Sequence, residues 1–121
     1  MEEQPSRKPG AEEEDYACRY LMEQGYQIVK RNFRYGRIGE IDIVAYDNKI
    51  LVFVEVKGRT QKDYGKPEDS IDRRKQAQLK KVASMYYYVN KLDNVDCRFD
   101  VIAIETIAGV RELRHHKRAF F

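Results

Sequence analysis

The chain has 121 residues, 42% of them hydrophobic and 12% aromatic, which is enough for one compact domain with a single core. Its net charge of +3 is unevenly spread, because residues 1–29 hold three basic against seven acidic side chains and residues 30–121 hold twenty against thirteen. No apolar run approaches the roughly 18 residues of a membrane helix, and four consecutive acids stand where a signal peptide would be apolar, so we expect a cytoplasmic protein without a membrane partner.

The N-terminal part of the chain predicts an arm followed by a helix. Residues 1–10 combine two prolines, a glycine and several charges, which predicts a flexible arm ahead of one domain over residues 11–121. From Ala11 to Gln24 apolar residues recur at helical spacing and a glycine follows, which predicts the first helix. Glu14 lies at the centre of its apolar face. It is either a buried acid that needs a partner or an acid that interacts with the N-terminal helix dipole.

The rest of the chain alternates between strand and helix patterns. Segments rich in β-forming residues and bounded by turns predict strands over 27–35, 38–46, 50–57 and 97–105, with a fifth from about 110 to 113. Between the third and fourth strands, residues 67–90 carry apolar side chains at helical spacing and predict a second helix. The order αβββαββ indicates an α/β fold in which helices pack on a mixed central sheet.

The cysteines and histidines are expected to have no chemical role. Cys18 and Cys97 lie far apart in different elements, which argues against a disulfide framework and predicts reduced core thiols. His115 and His116 stand in a basic C-terminal run, and neighbouring residues on a strand point apart. We therefore expect both as solvated tail residues and assign neither to a metal.

Charged residues interrupt the otherwise apolar third strand at its end. Because strand side chains alternate, Glu55 and Lys57 project to one face. In the preceding strand the same alternation places Glu40 and Asp42 together. Three carboxylates and one ammonium are thus expected to converge at the end of a buried hairpin. The alternative is that Glu55 and Lys57 form an ordinary ion pair at the strand end.

The short connection between these two strands determines how the carboxylates meet. With a loop of residues 48–49, Asp42 lies directly opposite Glu55; with a loop of residues 47–48, the two are diagonal neighbours. In either register the Cβ atoms are roughly 4.5 to 8 Å apart on one face. Carboxylates held this close destabilise a fold unless a cation joins them or their pKa values move. A hard ion with oxygen ligands, Mg²⁺ or Mn²⁺, would satisfy them.

Basic residues flank these acids along the chain. Lys75 falls on the inward stripe of the second helix, where its ammonium either approaches the acids or extends past the core to solvent. The polar loop 58–66 lies where a substrate-covering segment is expected. Side chains that we expect to hold the phosphates of a nucleic acid are Arg34, Arg37, Arg59, Lys62, Arg73, Arg74 and Lys75.

Two strings resemble a known family: G-E-I-D-I-V-A at 39–45 and L-V-F-V-E-V-K at 51–57. They are similar to the bacterial YraN-like family of predicted endonucleases, which resembles archaeal Holliday junction resolvases and carries the PD-(D/E)xK nuclease core. The resemblance continues through E-x-x-A-x-x-Y-L at 14–21, G-Y at 25–26, R-N at 31–32, Lys75 and R-F-D-V at 98–101. In one departure, Glu13 stands where the family often has glycine.

The resemblance implies a restriction-endonuclease-like fold and a specific site. It implies Asp42 and Glu55 as ligands of Mg²⁺ or Mn²⁺, Lys57 as the residue that places or activates the attacking water, and Glu14 as an auxiliary acid. Similar resolvases are dimers, and the apolar tip at 119–121 would be unfavourable in water, so we expect a weak homodimer. The same tip could instead fold back onto its own sheet.

Together these features predict a metal-dependent endonuclease that hydrolyses phosphodiester bonds in nucleic acid, with DNA, branched DNA included, as the expected partner. Two other functions stay open. One is a nucleic-acid-binding module that keeps the fold without catalysis, and the other is a protein-interaction domain with no nucleic-acid role. Metal binding at the carboxylates distinguishes the enzyme from the non-catalytic module. The protein-interaction domain would differ from both in showing no salt-dependent affinity for nucleic acid.

Overall fold

The computed structural model describes residues 8–60 and 65–121, and these form a mixed five-stranded sheet with a helix on each face. The helices are α1 (Ala11–Glu23) and α2 (Arg73–Val89), with a short 3-10 helix at Pro67–Ser70. The strands are β1 (Gln27–Tyr35), β2 (Gly39–Asp47), β3 (Ile50–Thr60), β4 (Cys97–Ile107) and β5 (Val110–Phe120). This αβββαββ order confirms the predicted α/β architecture and is consistent with a restriction-endonuclease-like fold. Neither described helix is long and apolar enough to cross a membrane.

The sheet has the strands in chain order, β1-β2-β3-β4-β5. All neighbouring pairs are antiparallel except β3 and β4, which run parallel from Leu51↔Cys97 to Thr60↔Thr106. A parallel pair requires a long crossover connection, and the segment containing α2 provides it. The β2–β3 hairpin closes at Asp47↔Ile50, so its loop is residues 48–49. Of the two registers open from the sequence, the structure adopts the one with the 48–49 loop, and the paired ladder ends at Ile43↔Val54, just before Asp42 and Glu55.

Each face of the sheet has its own core. On one face α1 contributes Ala17, Cys18 and Leu21, which pack with inward residues of the strands such as Ile43, Val54 and Ile102. On the other face α2 contributes Leu79, Val82 and Ala83, which pack with Val44, Phe53 and Phe99 among others. Burying one such aliphatic or aromatic side chain contributes roughly 1.5–3 kcal/mol. The two helices are therefore held to opposite faces by independent apolar clusters.

The side-chain alternation of β2 breaks at Asp42. Ile43 packs in the α1 core, whereas Ile41 and Val44 both pack in the α2 core, so positions 41 and 43 face opposite sides. The neighbouring β1 is also irregular there, since Asn32 has a positive φ of 55°. An interrupted ladder bends the strand and re-aims its side chains. Asp42 accordingly lies just beyond the end of the β2–β3 ladder, where it can approach groups from both faces.

The start of α1 lies against the end of β3 because Gly58 has no side chain. A Cβ atom at Gly58 would stand only 2.6 Å from Glu13 Cγ, well inside van der Waals contact. Gly58→Ala is therefore expected to lower the free energy of unfolding, measured by urea unfolding, by about 0.5–1.5 kcal/mol, because the Glu13 side chain must leave its rotamer.

The same contact supplies a matched rescue. Glu13→Ala removes the clashing Cγ, and the remaining Glu13 Cβ lies 3.5 Å from the position that the new alanine Cβ would take, an ordinary contact. The double variant should recover most of the stability that Gly58→Ala loses. An unchanged midpoint in Gly58→Ala, or no recovery in the double variant, would show that this contact does not set the position of α1.

The C-terminal strand is longer than the sequence predicted, and it includes the histidines that were predicted to lie in a solvated tail. β5 extends to Phe120 and pairs Ile102 with His115, so the basic run is part of the sheet. His115 has a buried side chain, with Nε2 2.7 Å from Asp100 Oδ2 and Nδ1 3.0 Å from Tyr20 Oη. His116 points to the other side and is exposed, but it is a strand residue with its Nε2 2.8 Å from Glu68 Oε2, not the predicted solvated tail residue. The prediction for His115 was wrong because α1 covers the face of β5 to which it points.

Two further expectations need correction. Cys97 is exposed at the start of β4, not buried in the core, whereas Cys18 is buried as predicted. The predicted helix over 67–90 is divided into the 3-10 helix and α2. The division occurs at Asp72, whose carboxylate accepts a hydrogen bond from the Lys75 backbone N–H at 2.9 Å and so caps a new helix.

The apolar C-terminal tip folds back onto its own sheet. The ring of Phe120 stacks on Phe99 at a centroid distance of 5.0 Å, and Phe121 meets Phe99 edge to face at 5.7 Å. This was the alternative to an intermolecular contact. Phe121 remains 60% exposed, and the homodimer stays a prediction. Residues 1–7 of the predicted N-terminal arm lie outside the described part of the chain.

Candidate metal centre

A buried pair of carboxyl groups stands where β2 and β3 separate. The ladder between these strands runs from Asp47↔Ile50 to Ile43↔Val54. Beyond the last pair of this ladder, Asp42 Oδ2 accepts a hydrogen bond from the backbone N–H of Val56 at 2.8 Å. A side chain thus replaces the carbonyl group that would continue the ladder. This bond holds the Asp42 carboxyl group in one orientation beside Glu55.

The environment of this pair favours a shared proton or a cation. The pKa of Asp42 is raised to about 7, mainly by burial. The hydrogen bond between the Asp42 and Glu55 carboxyl groups and the negative charge of Glu55 also raise this pKa. The Val56 N–H and Lys8 act against the rise in this pKa. Glu55 itself is only 5% exposed. Two acids in so little water cannot both carry a charge without a compensating positive group.

Two ammonium groups approach Glu55 from different elements. Lys57 Nζ, from the same strand, lies 3.8 Å from Glu55 Oε2, and Lys75 Nζ, from the first turn of α2, lies 3.4 Å from the same oxygen. About a third of each lysine side chain remains exposed, 33% and 31% respectively. The cap at Asp72 begins α2 at the position that directs Lys75 toward Glu55. Both lysine side chains are therefore partly accessible to solvent.

Glu14 reaches the same region from α1 on the opposite face. It is 4% exposed, as expected from its place on the apolar side of the helix. Burial raises the pKa of Glu14, and its hydrogen bond with Lys8 opposes that rise. Within the described residues, Glu14 Oε1 is buried and accepts no hydrogen bond, although Arg31 lies 3.6 Å away. One oxygen of this acid therefore lacks a close donor.

Glu40 and Lys8 complete the group. Glu14, Glu40 and Asp42 each offer a carboxylate oxygen within 4.8 Å of the others. The Nζ atom of Lys8 stands among them, 2.5 Å from Glu40, 2.7 Å from Glu14 and 3.8 Å from Asp42. The alternation of β2 had indicated Glu40 without assigning it a role. Nothing in the sequence indicated Lys8, because the arm has no periodic pattern that predicts contacts.

The predicted phosphate-binding residues have different surroundings. Arg34 and Arg37 at the β1–β2 turn, and Arg73 and Arg74 at the start of α2, are exposed. Arg59 is mostly buried, with 14% of its side chain exposed and its guanidinium 3.9 Å from Glu105. Lys75 is directed to Glu55, as described above. Lys62 lies outside the described residues.

Sequence comparison now defines the family. A family model described as "Uncharacterised protein family UPF0102" matches residues 13–104. The chain belongs to this family. The matched span contains Glu14, the β2–β3 hairpin with its acids, and the whole of α2, whereas Lys8 precedes it.

Several UPF0102 proteins are similar over nearly their whole length. One from Lachnoclostridium phytofermentans is 47% identical over 112 residues, covering 92% of this chain and 91% of the relative. One from Natranaerobius thermophilus is 40% identical over 117 residues, covering 95% and 98%. One from Persephonella marina is 42% identical over 111 residues, covering 92% and 91%. Each is named "UPF0102 protein".

Proposed function

We propose that this UPF0102 chain is a metal-dependent endonuclease that hydrolyses phosphodiester bonds in nucleic acid, most readily DNA. The observation that carries the proposal is the buried Asp42–Glu55 pair with the ammonium groups of Lys57 and Lys75 beside it. Anionic ligands for a cation and cationic groups for a phosphate thus lie within one site. Metal-assisted phosphodiester hydrolysis uses both.

The residues present suit a hard divalent ion. The donors at this end of the sheet are all carboxylate oxygens, which Mg²⁺ and Mn²⁺ prefer. Asp42 and Glu55 would hold the ion, and Glu14 has a buried oxygen with no hydrogen bond from the described residues. A cation in this region already balances the charge, since Lys8 Nζ lies 2.7 Å from Glu14. When bound, such an ion polarises a phosphoryl oxygen and lowers the pKa of water.

The lysines would act on the phosphate and on the attacking water. Lys57 shares the end of β3 with Glu55, so its ammonium can orient a water molecule beside the phosphorus and offset the charge that develops in the transition state. Lys75 would bind a non-bridging oxygen from the α2 side. Arg34, Arg37, Arg73 and Arg74 would hold flanking phosphates, contacts that position a strand without reading its sequence. A cytoplasmic location is part of the same proposal.

A cleavage panel tests this function. Branched, nicked, duplex and single-stranded DNA, together with an RNA duplex, are incubated with Mg²⁺ or Mn²⁺ and with EDTA. The chain is expected to cleave at least one substrate, and EDTA should stop the reaction. Glu55→Gln should reduce the rate about a thousandfold or more while DNA binding persists. Glu23→Gln, which alters an exposed acid at the end of α1, serves as the matched control and should cleave like the wild type.

The other functions correspond to defined results of this panel. Salt-dependent DNA binding with no cleavage of any substrate would leave a non-catalytic nucleic-acid-binding module. Absence of both cleavage and DNA binding would leave a protein-interaction domain. Cleavage that Glu55→Gln does not reduce would place the catalytic centre elsewhere in the chain.

A further inference from the structure

The ammonium group of Lys8 lies at the centre of three carboxylates. Its Nζ atom is 2.5 Å from Glu40 Oε1, 2.7 Å from Glu14 Oε2 and 3.8 Å from Asp42 Oδ1. These acids come from separate parts of the fold, since Glu14 lies in α1 and the other two lie in β2. Lys8 belongs to the segment before α1 and keeps 37% of its side chain exposed. An ammonium group from the segment before α1 therefore fills the centre of an acidic pocket whose side chains range from 5% exposed at Glu14 to 32% exposed at Glu40.

We propose that Glu14, Glu40 and Asp42 form a cation site, which Lys8 fills in the metal-free chain and from which a divalent ion displaces it. The inference rests on the proposed function, because Asp42 is shared with the Asp42–Glu55 pair. It adds Glu40 as a ligand. It also assigns the N-terminal segment a regulatory role, as a tethered competitor of the metal.

The dimensions of the pocket suit an ion. The three carboxylate oxygens lie within 4.8 Å of one another. Ligands on opposite sides of Mg²⁺ are about 4.2 Å apart, and on opposite sides of Ca²⁺ about 4.6–5.2 Å, given their usual bond lengths. An ion at the centre could therefore reach all three acids with small side-chain movements. Lys8 satisfies the pocket less completely, because Glu14 Oε1 accepts no hydrogen bond from the described residues.

The ammonium group and the ion exclude each other. Lys8 Nζ contacts the same carboxylates that the ion would bind, so the two positive charges would lie within a few ångströms of each other. Like charges at such distances repel strongly. A site that is open in only a fraction of the molecules binds its ligand with an affinity reduced by that fraction. Lys8 therefore lowers the apparent metal affinity.

Displacement of Lys8 has a local structural consequence. The Ala11 backbone N–H donates to the Lys8 carbonyl oxygen at 3.2 Å, just before α1 begins. Between them Gly10 adopts a positive φ of 86°, which glycine allows without strain. When the ion removes the side-chain contacts of Lys8, this bond loses its support. The Ala11 amide should then exchange with solvent faster.

Metal titration of matched variants tests the proposal. Mn²⁺ alone is titrated by calorimetry into the wild type, Lys8→Met, Lys8→Arg and Glu40→Gln, with Lys49→Met in the exposed β2–β3 turn as the control. Lys8→Met is expected to bind Mn²⁺ about tenfold more tightly, since the competing charge is gone. Lys8→Arg and Lys49→Met should bind like the wild type. Glu40→Gln should bind more weakly, because one ligand is lost.

Amide exchange supplies an independent readout. In the wild type, adding Mg²⁺ should accelerate exchange of the Ala11 amide measured by NMR, and in Lys8→Met the same addition should change it little. Equal Mn²⁺ affinity in the wild type, Lys8→Met and Glu40→Gln, with unchanged Ala11 exchange, would overturn this inference and leave the Asp42–Glu55 pair intact. Absence of divalent binding in every variant would remove the inference and the proposed function together.

Discussion

Asp42→Asn is expected to abolish cleavage and, at the same time, to stabilise the metal-free protein. Asparagine keeps an oxygen that can accept the Val56 N–H, so the end of the hairpin should retain its geometry. It removes one of the adjacent carboxylates that require a positive charge or a proton between them. We expect a loss of about a thousandfold or more in kcat/KM and a gain of about 1–2 kcal/mol in the free energy of unfolding.

The stability gain should depend on pH with a defined sign. Burial raises the pKa of Asp42 to about 7 in the folded chain, whereas an unfolded aspartate titrates near pH ~3.9. Between these values the folded state binds more protons, so Asp42 makes the wild type less stable as pH rises. The advantage of Asp42→Asn should therefore be small near pH ~4 and largest above pH ~7.

Melting curves in EDTA measure the stability of Asp42→Asn, and cleavage time courses measure its activity. Asp93→Asn, in the exposed α2–β4 connection, is the control. Cleavage within a few-fold of the wild type would remove Asp42 from the catalytic centre. If Asp42→Asn melts at a lower temperature than the wild type at pH 8, then repulsion between Asp42 and Glu55 does not destabilise the folded protein.

Asp100→Asn is expected to produce the largest loss of stability. Asp100 is fully buried in β4 and accepts hydrogen bonds from Arg98 Nε at 2.9 Å and from the Arg118 backbone N–H at 3.1 Å. It also lies 2.7 Å from His115 Nε2. Arg98 is itself only 7% exposed, so neutralising Asp100 leaves a buried guanidinium short of its main counter-charge. Breaking a buried pair in this way costs about 3–5 kcal/mol.

Urea unfolding at pH 7 measures this loss, and Glu112→Gln on the exposed face of β5 is the control. Burial would raise the pKa of Asp100, but hydrogen bonds from His115, Arg98 and the Arg118 N–H outweigh it, and the pKa falls below its usual value. The stabilisation is therefore complete above the unfolded pKa and disappears as pH falls through the folded one. A loss under about 1 kcal/mol at pH 7 would mean that the remaining partners of Arg98 suffice.

The sequence was enough to bring Asp42 and Glu55 together because their proximity depends on local rules. A short loop joins two strands, and either possible register brings these two acids close together near the end of the hairpin. The burial of Glu14 likewise followed from helical spacing with Ala17, Cys18 and Leu21. The αβββαββ order followed from the same periodicities. Each of these inferences used residues within one helix or one hairpin.

Only the tertiary structure decided which surfaces are covered and which distant groups meet. His115 was misjudged because its burial depends on α1 covering β5, and Cys97 because the α2 face leaves the start of β4 exposed, which no local pattern states. The break of alternation at Asp42 depends on pairing with β1, where Asn32 has a positive φ. Lys8 reaches Glu40 across 32 positions of sequence. Long-range charge contacts of this kind form only when the whole chain has folded, so periodicity determined the elements and tertiary packing determined the site.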